Sequence, residues 1–284
     1  MTMTKGGFMN TNRSSYLLGA ALGSALMLAV CAPANAADIY EGGLKGGYDV
    51  PPPPPDRGIY LKAYVGQANP SVGGMSNEVY EQTGIFTVRD HEIKSSILYG
   101  LGVGWQARHW LRFDLTGEYR GDALFLGSDV STFPGTNEYT ADMKTWLGLV
   151  NAYIDMGNWC GFTPYIGAGI GFATISVDGL RDDGLVIDPV FGAVSSVGYG
   201  ADKTSTNFAY AFYAGASFDV TSQVALDLSY RWANLGSAGS GAVVAFDGSG
   251  GYSGQRINDI TSNDVMLGVR YKLQREAVVY QPVK

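Results

Sequence analysis

Along LRFDLTGEYR (111–120), apolar and polar side chains alternate. Leu111, Phe113, Leu115 and Tyr119 share one parity, and Arg112, Asp114, Thr116, Glu118 and Arg120 share the other. The same pattern recurs in VALDLSYRW (224–232), where Val224, Leu226, Leu228, Tyr230 and Trp232 oppose Ala225, Asp227, Ser229 and Arg231. It recurs again in VMLGVRYKL (265–273). A period of two sustained over such lengths predicts strands, not helices. Eight segments fit: about 58–68, 94–106, 109–120, 140–156, 162–177, 205–219, 222–235 and 261–273. The fit is poorest at 140–156, where both parities carry apolar residues. Short connections (107–108, 157–161, 220–221) alternate with long ones (69–93, 121–139, 178–204, 236–260). Loops beyond about 12–15 residues are unusual in a compact domain. Strict alternation of tight turns and long loops around an even strand count is the asymmetry of a membrane-spanning barrel. The expectation is an all-β fold: one eight-stranded antiparallel transmembrane β-barrel over 58–273.

Parity alone does not say which face meets water; three features decide it. Trp105, Trp110, Trp159, Phe162, Phe218 and Tyr271 fall at the short-turn ends, while Tyr119, Trp146, Phe172, Phe208 and Trp232 fall at the long-loop ends. Two such girdles suit two lipid–water interfaces. Gly100, Gly102, Gly104, Gly167, Gly169 and Gly171 all lie on the parity opposite the apolar residues. Glycine weakens a strand interior and needs a reason. In a lumen barely wide enough for side chains, the reason is space for Tyr64, Arg112, Glu118 or Arg231. Finally, a sheet in hydrocarbon must close on itself, and about 9–11 tilted residues suffice to cross. The apolar parity is therefore assigned to lipid.

The opposite parity then lines the lumen with Lys62, Arg112, Asp114, Glu118, Arg120, Asp155, Asp219, Asp227, Arg231, Asp264 and Arg270. Both signs are present, so these groups are expected to pair across the axis as a structural plug. A narrow ion path is the alternative.

Composition supports the membrane reading: of 284 residues 46% are hydrophobic and only 16% charged, against about 25% charged in soluble domains. A formal charge of −7 without a basic stripe argues against nucleic acid as a partner. Lys5 and Arg13, the apolar run Tyr16 to Val30 and ANA at 34–36 have the layout of a secretory signal peptide over 1–36, cut between Ala36 and Ala37. Lipidation at Cys31 is the alternative, but Val30 stands where such sites want a small residue. Without that segment Cys160 is the sole cysteine, so neither a disulfide framework nor a Cys-rich metal site is expected. PPPPP at 51–55 makes 37–57 an extended periplasmic tether, with a ligand for a partner domain as the sharper alternative. Residues 274–284 are read as a periplasmic tail.

WLGLVNAYIDMG (146–157) followed by TPYIGAGIGF (163–172), with YGLGVGW (99–105) upstream, resembles the small outer-membrane β-barrel proteins of Gram-negative bacteria, the OmpA-like "porin family" barrels. The resemblance covers about 58–273 and implies insertion in the cell outer membrane by the assembly machinery. The chain departs from it at the C-terminal end: the family usually closes its last strand on an aromatic, whereas here QREAVVYQPVK follows Leu273. Residues 1–284 show no match to the peptidoglycan-binding domain of full-length OmpA-type proteins, so cell-wall tethering is not expected.

Candidate catalytic chemistry is sparse. His109 lies at a turn beside Arg108 and Trp110, which suits an interfacial anchor. His91 sits between Asp90 and Glu92, but sequence neighbours on a strand point to opposite faces and do not converge. GxSxG, HExxH and Walker A motifs are absent from the sequence, and the GxGxG runs lead into no helix. Catalysis, a cofactor and a metal are therefore not expected, and a rim-sited hydrolase is the remote alternative. RDDGLVID (181–188) is the densest acidic stretch. It is read as a solvated loop, with cation bridging to lipopolysaccharide phosphates as the alternative. The expected role is envelope structure and surface interaction, with outer-membrane lipids, lipopolysaccharide and host or cell-surface ligands as partners. A narrow porin for small solutes is the runner-up.

Overall fold

The computed structural model describes residues 58–273 apart from 84, 133 and 249; the segments read as signal peptide, tether and tail lie outside the described residues. The elements are β1 (Gly58–Ser71), β2 (Gly74–Ser76), α1 (Glu78–Thr83), β3 (Phe86–Ile93), β4 (Ser96–Arg108), β5 (Leu111–Ser131), β6 (Gly135–Asp155), β7 (Phe162–Asp188), β8 (Gly192–Gly200), β9 (Lys203–Asp219), β10 (Val224–Gly239), β11 (Val243–Ala245), β12 (Gly251–Tyr252) and β13 (Arg256–Lys272).

Eight of these strands form a closed antiparallel ring. β1 pairs with β4, β4 with β5, β5 with β6, β6 with β7 and β7 with β9; then β9 pairs with β10, β10 with β13, and β13 returns to β1. Closure leaves no edge within this ring unpaired, as a hydrocarbon environment demands. Alternation fixes the faces. Leu61, Leu101, Leu115, Val150, Ile170, Leu228 and Leu267 are exposed on the outside, while Lys62, Arg112, Glu118, Arg231 and Asp264 are buried within. The protein thus turns grease outward and charge inward.

Two of the long connections are strands. β5 and β6 are 21 residues each and meet around 132–134, so 121–139 is a hairpin. β7 runs 27 residues and returns as β8, which puts most of 178–204 in a second hairpin. The sequence pattern hides this for a physical reason. Register shifts between Arg120 and Ala123 and between Thr140 and Asp142 break the alternation. Inward positions in β5 change from even (112–120) to odd (123–129). A one-residue slip flips every later side chain, so a continuous strand reads as irregular.

Segment 69–93 contains β2, α1 and β3, and 236–260 contains β11 and β12. Asn77 starts α1 by accepting the Tyr80 N–H on its side-chain oxygen at 3.0 Å. β3 extends the sheet beside β5, and β8, β11 and β12 extend it beyond β7. The result is a crown of β-structure that continues the barrel wall at the end opposite the short turns.

Candidate functional site

The lumen is filled in layers. At the short-turn end, Arg112 grips Asp155 through Nε (2.9 Å) and Nη2 (2.7 Å). Its guanidinium lies 4.7 Å from the Tyr165 ring centre and 5.0 Å from that of Tyr153. Lys62 Nζ sits 3.7 Å from Asp114. Asp114 also accepts Asn151 Nδ2 at 2.7 Å and the Tyr60 hydroxyl at 3.3 Å. Arg270 Nε lies 2.9 Å from Asp227, an ion pair whose angle falls short of a hydrogen bond. Arg270 Nη2 and Asp227 are bridged by Ser217, which accepts from the arginine and donates to the carboxylate.

Above this layer is a closed four-membered ring. Glu118 accepts Arg120 Nε (2.9 Å) and Arg231 Nη2 (2.7 Å), and Asp264 accepts Arg120 Nη2 (2.8 Å) and Arg231 Nε (2.8 Å). The two carboxylates and two guanidiniums come from β5, β10 and β13, and none is more than 4% exposed. In each layer cations and carboxylates balance, which is the condition for keeping charge in so dry a place. Between the layers, beside Lys62, Tyr64, Thr116 and Arg231, is a void of about 10 Å³, room for about one water molecule. Beyond the ring the interior turns apolar, with Leu98, Phe125, Leu147, Ile175, Leu235 and Ile260 buried.

The inward glycines are explained by rings more than by arginines. A Cβ on Gly104 would stand 2.1 Å from Tyr60 Cζ, on Gly100 2.4 Å from Tyr64 Cζ, and on Gly167 2.4 Å from Tyr153 Cδ1; on Gly169 it would meet Asn151 Oδ1 at 2.0 Å. Apart from Tyr64, which the sequence already placed in the lumen, the inward tyrosines and Asn151 are the site residues that a reading focused on charge missed. Their signal was present in the chain: Tyr60, Tyr64, Tyr153, Tyr165 and Tyr213 occupy inward parity. Asp219 belongs elsewhere. It ends β9, its side chain is 35% exposed, and it lies 3.9 Å from Lys272 at the rim, outside the lumen network.

The sequence-assigned aromatics are exposed or partly exposed, near one end of their strands or the other. At the short-turn end Trp105, Trp110, Trp159, Phe218 and Tyr271 are exposed and Phe162 is partly so. At the crown end Trp146, Phe172 and Phe208 are exposed, and Tyr119 and Trp232 are partly covered by neighbouring rings. Tyr119 lies 4.9 Å from Trp146 with the rings tilted, Phe172 meets Phe208 edge-on at 6.3 Å, and Phe212 lies 6.1 Å from Trp232.

The crown holds two inward carboxylates, one buried and one partly buried, that sequence reading treated as loop. Asp129 is fully buried and accepts the Tyr80 and Tyr139 hydroxyls and Asn137 Nδ2. Asp182 accepts the Tyr252 hydroxyl at 3.0 Å. Burial pushes the Asp182 carboxyl up to about 6; the Tyr252 hydrogen bond opposes this, and the like charges of Asp129 and Asp183 add to it. Tyr80 anchors the segment before β3, and Tyr252 anchors β12. Phenol–carboxylate bonds thus tie two separate segments to the β5–β7 wall. His91 stands opposite Gly127 across β3 and β5, and its backbone N–H donates to the Asp90 side chain. Its Nδ1 has no hydrogen-bond partner among the described residues. Among the described residues no three His, Cys, Asp or Glu side chains are grouped to hold a metal.

Comparison with known proteins agrees with this architecture. Residues 22–272 match the family model described as outer membrane protein beta-barrel domain. The chain belongs to that family. A Brucella abortus (strain 2308) protein described only as uncharacterized is 30% identical over 236 residues, covering 74% of this chain and 81% of its own. A Rickettsia bellii (strain RML369-C) protein called "Putative adhesin" is 28% identical over 225 residues, covering 75% and 87%. The crystal structure of OprG from Pseudomonas aeruginosa superposes with a TM-score of 0.50 at 12% identity, over 77% of this chain and 97% of that one, a likeness of fold. The protein is an outer-membrane β-barrel of the Gram-negative type.

Proposed function

We propose that this barrel anchors a surface-interaction module: the wall holds it in the outer membrane, the charge network seals the lumen, and the crown makes contacts outside the cell. The observation that carries this reading is the closed Glu118–Arg120–Asp264–Arg231 ring. Every one of its side chains is nearly or fully buried, so the ring serves as a plug and leaves no path of hydrated ions. A protein sealed at its middle must act at its ends, and the elaborate end is the crown. The name of the Rickettsia relative supports a non-enzymatic surface role. Belt spacing supports the placement in lipid. Phe162 and Phe172 are ten residues apart on β7, and at ~3.3 Å per residue with a tilt near 40° they stand roughly 25 Å apart, the height of a lipid-facing band.

In this reading the short turns, the tether 37–57 and the tail 274–284 face the periplasm after removal of 1–36. Outer-membrane lipids and lipopolysaccharide surround the belts, and the assembly machinery inserts the chain. The crown meets host or cell-surface ligands. The test is binding of whole bacteria to host cells or to one another. Replacing 183–195 by a short turn is expected to abolish the binding that expression confers, while the barrel keeps its heat-dependent gel mobility. Unchanged binding by a correctly inserted truncated barrel would refute the proposal.

A further inference from the structure

Charge is distributed very unevenly along the barrel. The crown segments 72–94, 121–144, 178–204 and 236–260 carry fifteen carboxylates against six Lys and Arg. The rest of 58–273 carries six carboxylates and seven cations. The excess faces outward in part. Cross-strand register sets Asp90, Ser128, Glu138, Asp183 and Val197 in one row across β3, β5, β6, β7 and β8, and directly paired residues share a face. Arg181 pairs with Asp183 at 2.9 Å, but among the described residues no cation lies within ion-pair distance of Asp90 or Glu138.

Beside this acidic row stands apolar surface left open by the described residues. Val190 and Phe191, at the apex of the β7–β8 hairpin, are each 81% exposed, as is Phe246 next to β8; Leu185, Ile187 and Val194 are also open. The apex lies sixteen residues beyond Phe172 along β7, on the order of 50 Å of strand, so lipid does not account for it. The apex is also held in shape: Asp188 accepts the backbone N–H groups of Val190 (2.7 Å) and Phe191 (2.9 Å). These bonds hold its carboxyl below the usual range, and Gly192 supplies the left-handed turn at φ +79°. A pre-shaped apolar knob loses little entropy when it docks, and exposed apolar patches of this kind mark contact sites.

Resting on the surface-interaction reading, we propose that the crown docks a basic protein surface: Val190 and Phe191 enter an apolar recess, and the Asp90–Glu138–Asp183 row faces lysines and arginines around it. The same field repels sulfated glycans and anionic headgroups, so polyanions are the excluded class.

The test uses the full barrel in zwitterionic nanodiscs, with lysozyme as the basic probe, heparin as the polyanion and empty nanodiscs as background. Lysozyme is expected to bind, with affinity falling at least about tenfold from low salt to well above physiological ionic strength as screening shortens the field. Glu138→Lys with Asp183→Lys should weaken it by at least about tenfold, by the same electrostatics. Val190→Ser with Phe191→Ser should weaken it by about threefold or more, and this loss should persist at high salt. All variants must retain heat-dependent gel mobility. Heparin binding as well as lysozyme, lysozyme not binding, or charge reversal or apex substitution without effect would each overturn the proposal. If heparin binds through the crown, a surface role stands and this assignment falls; if crown removal leaves cell binding intact, the surface role itself falls.

Discussion

Replacing Arg231 with Met probes the proposed seal of the lumen most sharply. Arg231 is 1% exposed and holds two carboxylates at once, Glu118 at 2.7 Å and Asp264 at 2.8 Å, with the Tyr213 ring 5.8 Å from its guanidinium. The substitution leaves two buried carboxylates sharing Arg120, so a neutral ring acquires one negative charge. Removing one partner of a buried ionic network costs about 3–5 kcal/mol, and the loss of two charge-assisted bonds puts Arg231→Met at the upper part of that range. Adding Glu118→Gln restores neutrality, one carboxylate facing one guanidinium. The double variant is therefore expected to be more stable than the single by about 1–3 kcal/mol, a coupling of the size that contacting residues show. Reversible urea unfolding in lipid vesicles, followed by tryptophan fluorescence, measures both. A single-variant cost below about 1 kcal/mol, or strictly additive effects, would refute the claim that the ring is a dry, mutually neutralised network.

Three further predictions follow from the geometry. Leu115→Arg, on the outward face at mid-wall, should lower folding stability in bilayers by about 2–4 kcal/mol, while Thr116→Ser, one residue away and inward, should be mild; equal tolerance would mean the faces are misassigned. A Cβ at position 104 would come within 2.1 Å of Tyr60 Cζ, so Gly104→Val should lower the folded fraction, and Tyr60→Ala should rescue it in the same vesicle assay. The Asp182 carboxyl, raised to about 6 in the fold from an ordinary value near 4, contributes stability that is fully present below the ordinary value. That contribution is lost as pH rises through about 6. Exchange protection of β12 amides, corrected for intrinsic rates, should therefore be higher at acidic than at neutral pH, by about 1–2 kcal/mol after allowance for partial exposure. Asp182→Asn should abolish that dependence.

The membrane-spanning part was legible because each crossing strand is solvated by lipid on one side and packed against charge on the other, which writes period two into 111–120, 224–232 and 265–273. The crown was not legible for the converse reason. Beyond the belts both faces meet water or protein, so the outward apolar signal fades. The shift around Gly121 and Asp122 in β5 and the left-handed Gly179 in β7 (φ +61°) then change parity within continuous strands. The ambiguity at 140–156 has a structural cause as well: Leu147 and Leu149, paired with Glu118 and Thr116 of β5, are buried inward while Trp146 and Val150 are exposed on the outer face. Charged lumen residues stood out because nothing else explains ionised groups on a strand, whereas Asn151 and the inward tyrosines look ordinary for a sheet. Asp219 had the right parity but the wrong depth, since alternation reports the face and not the distance from the rim.

The sealed lumen, with function moved to the crown, is tested most directly by single-channel recording of the full barrel in a planar bilayer. The network predicts a flat trace at neutral pH, with steady unitary steps emerging only when the Glu118–Arg231 ring is dismantled. Steady steps from the unaltered protein, diminished by substituting Arg112 or Glu118, would contradict it and make the lumen a pore.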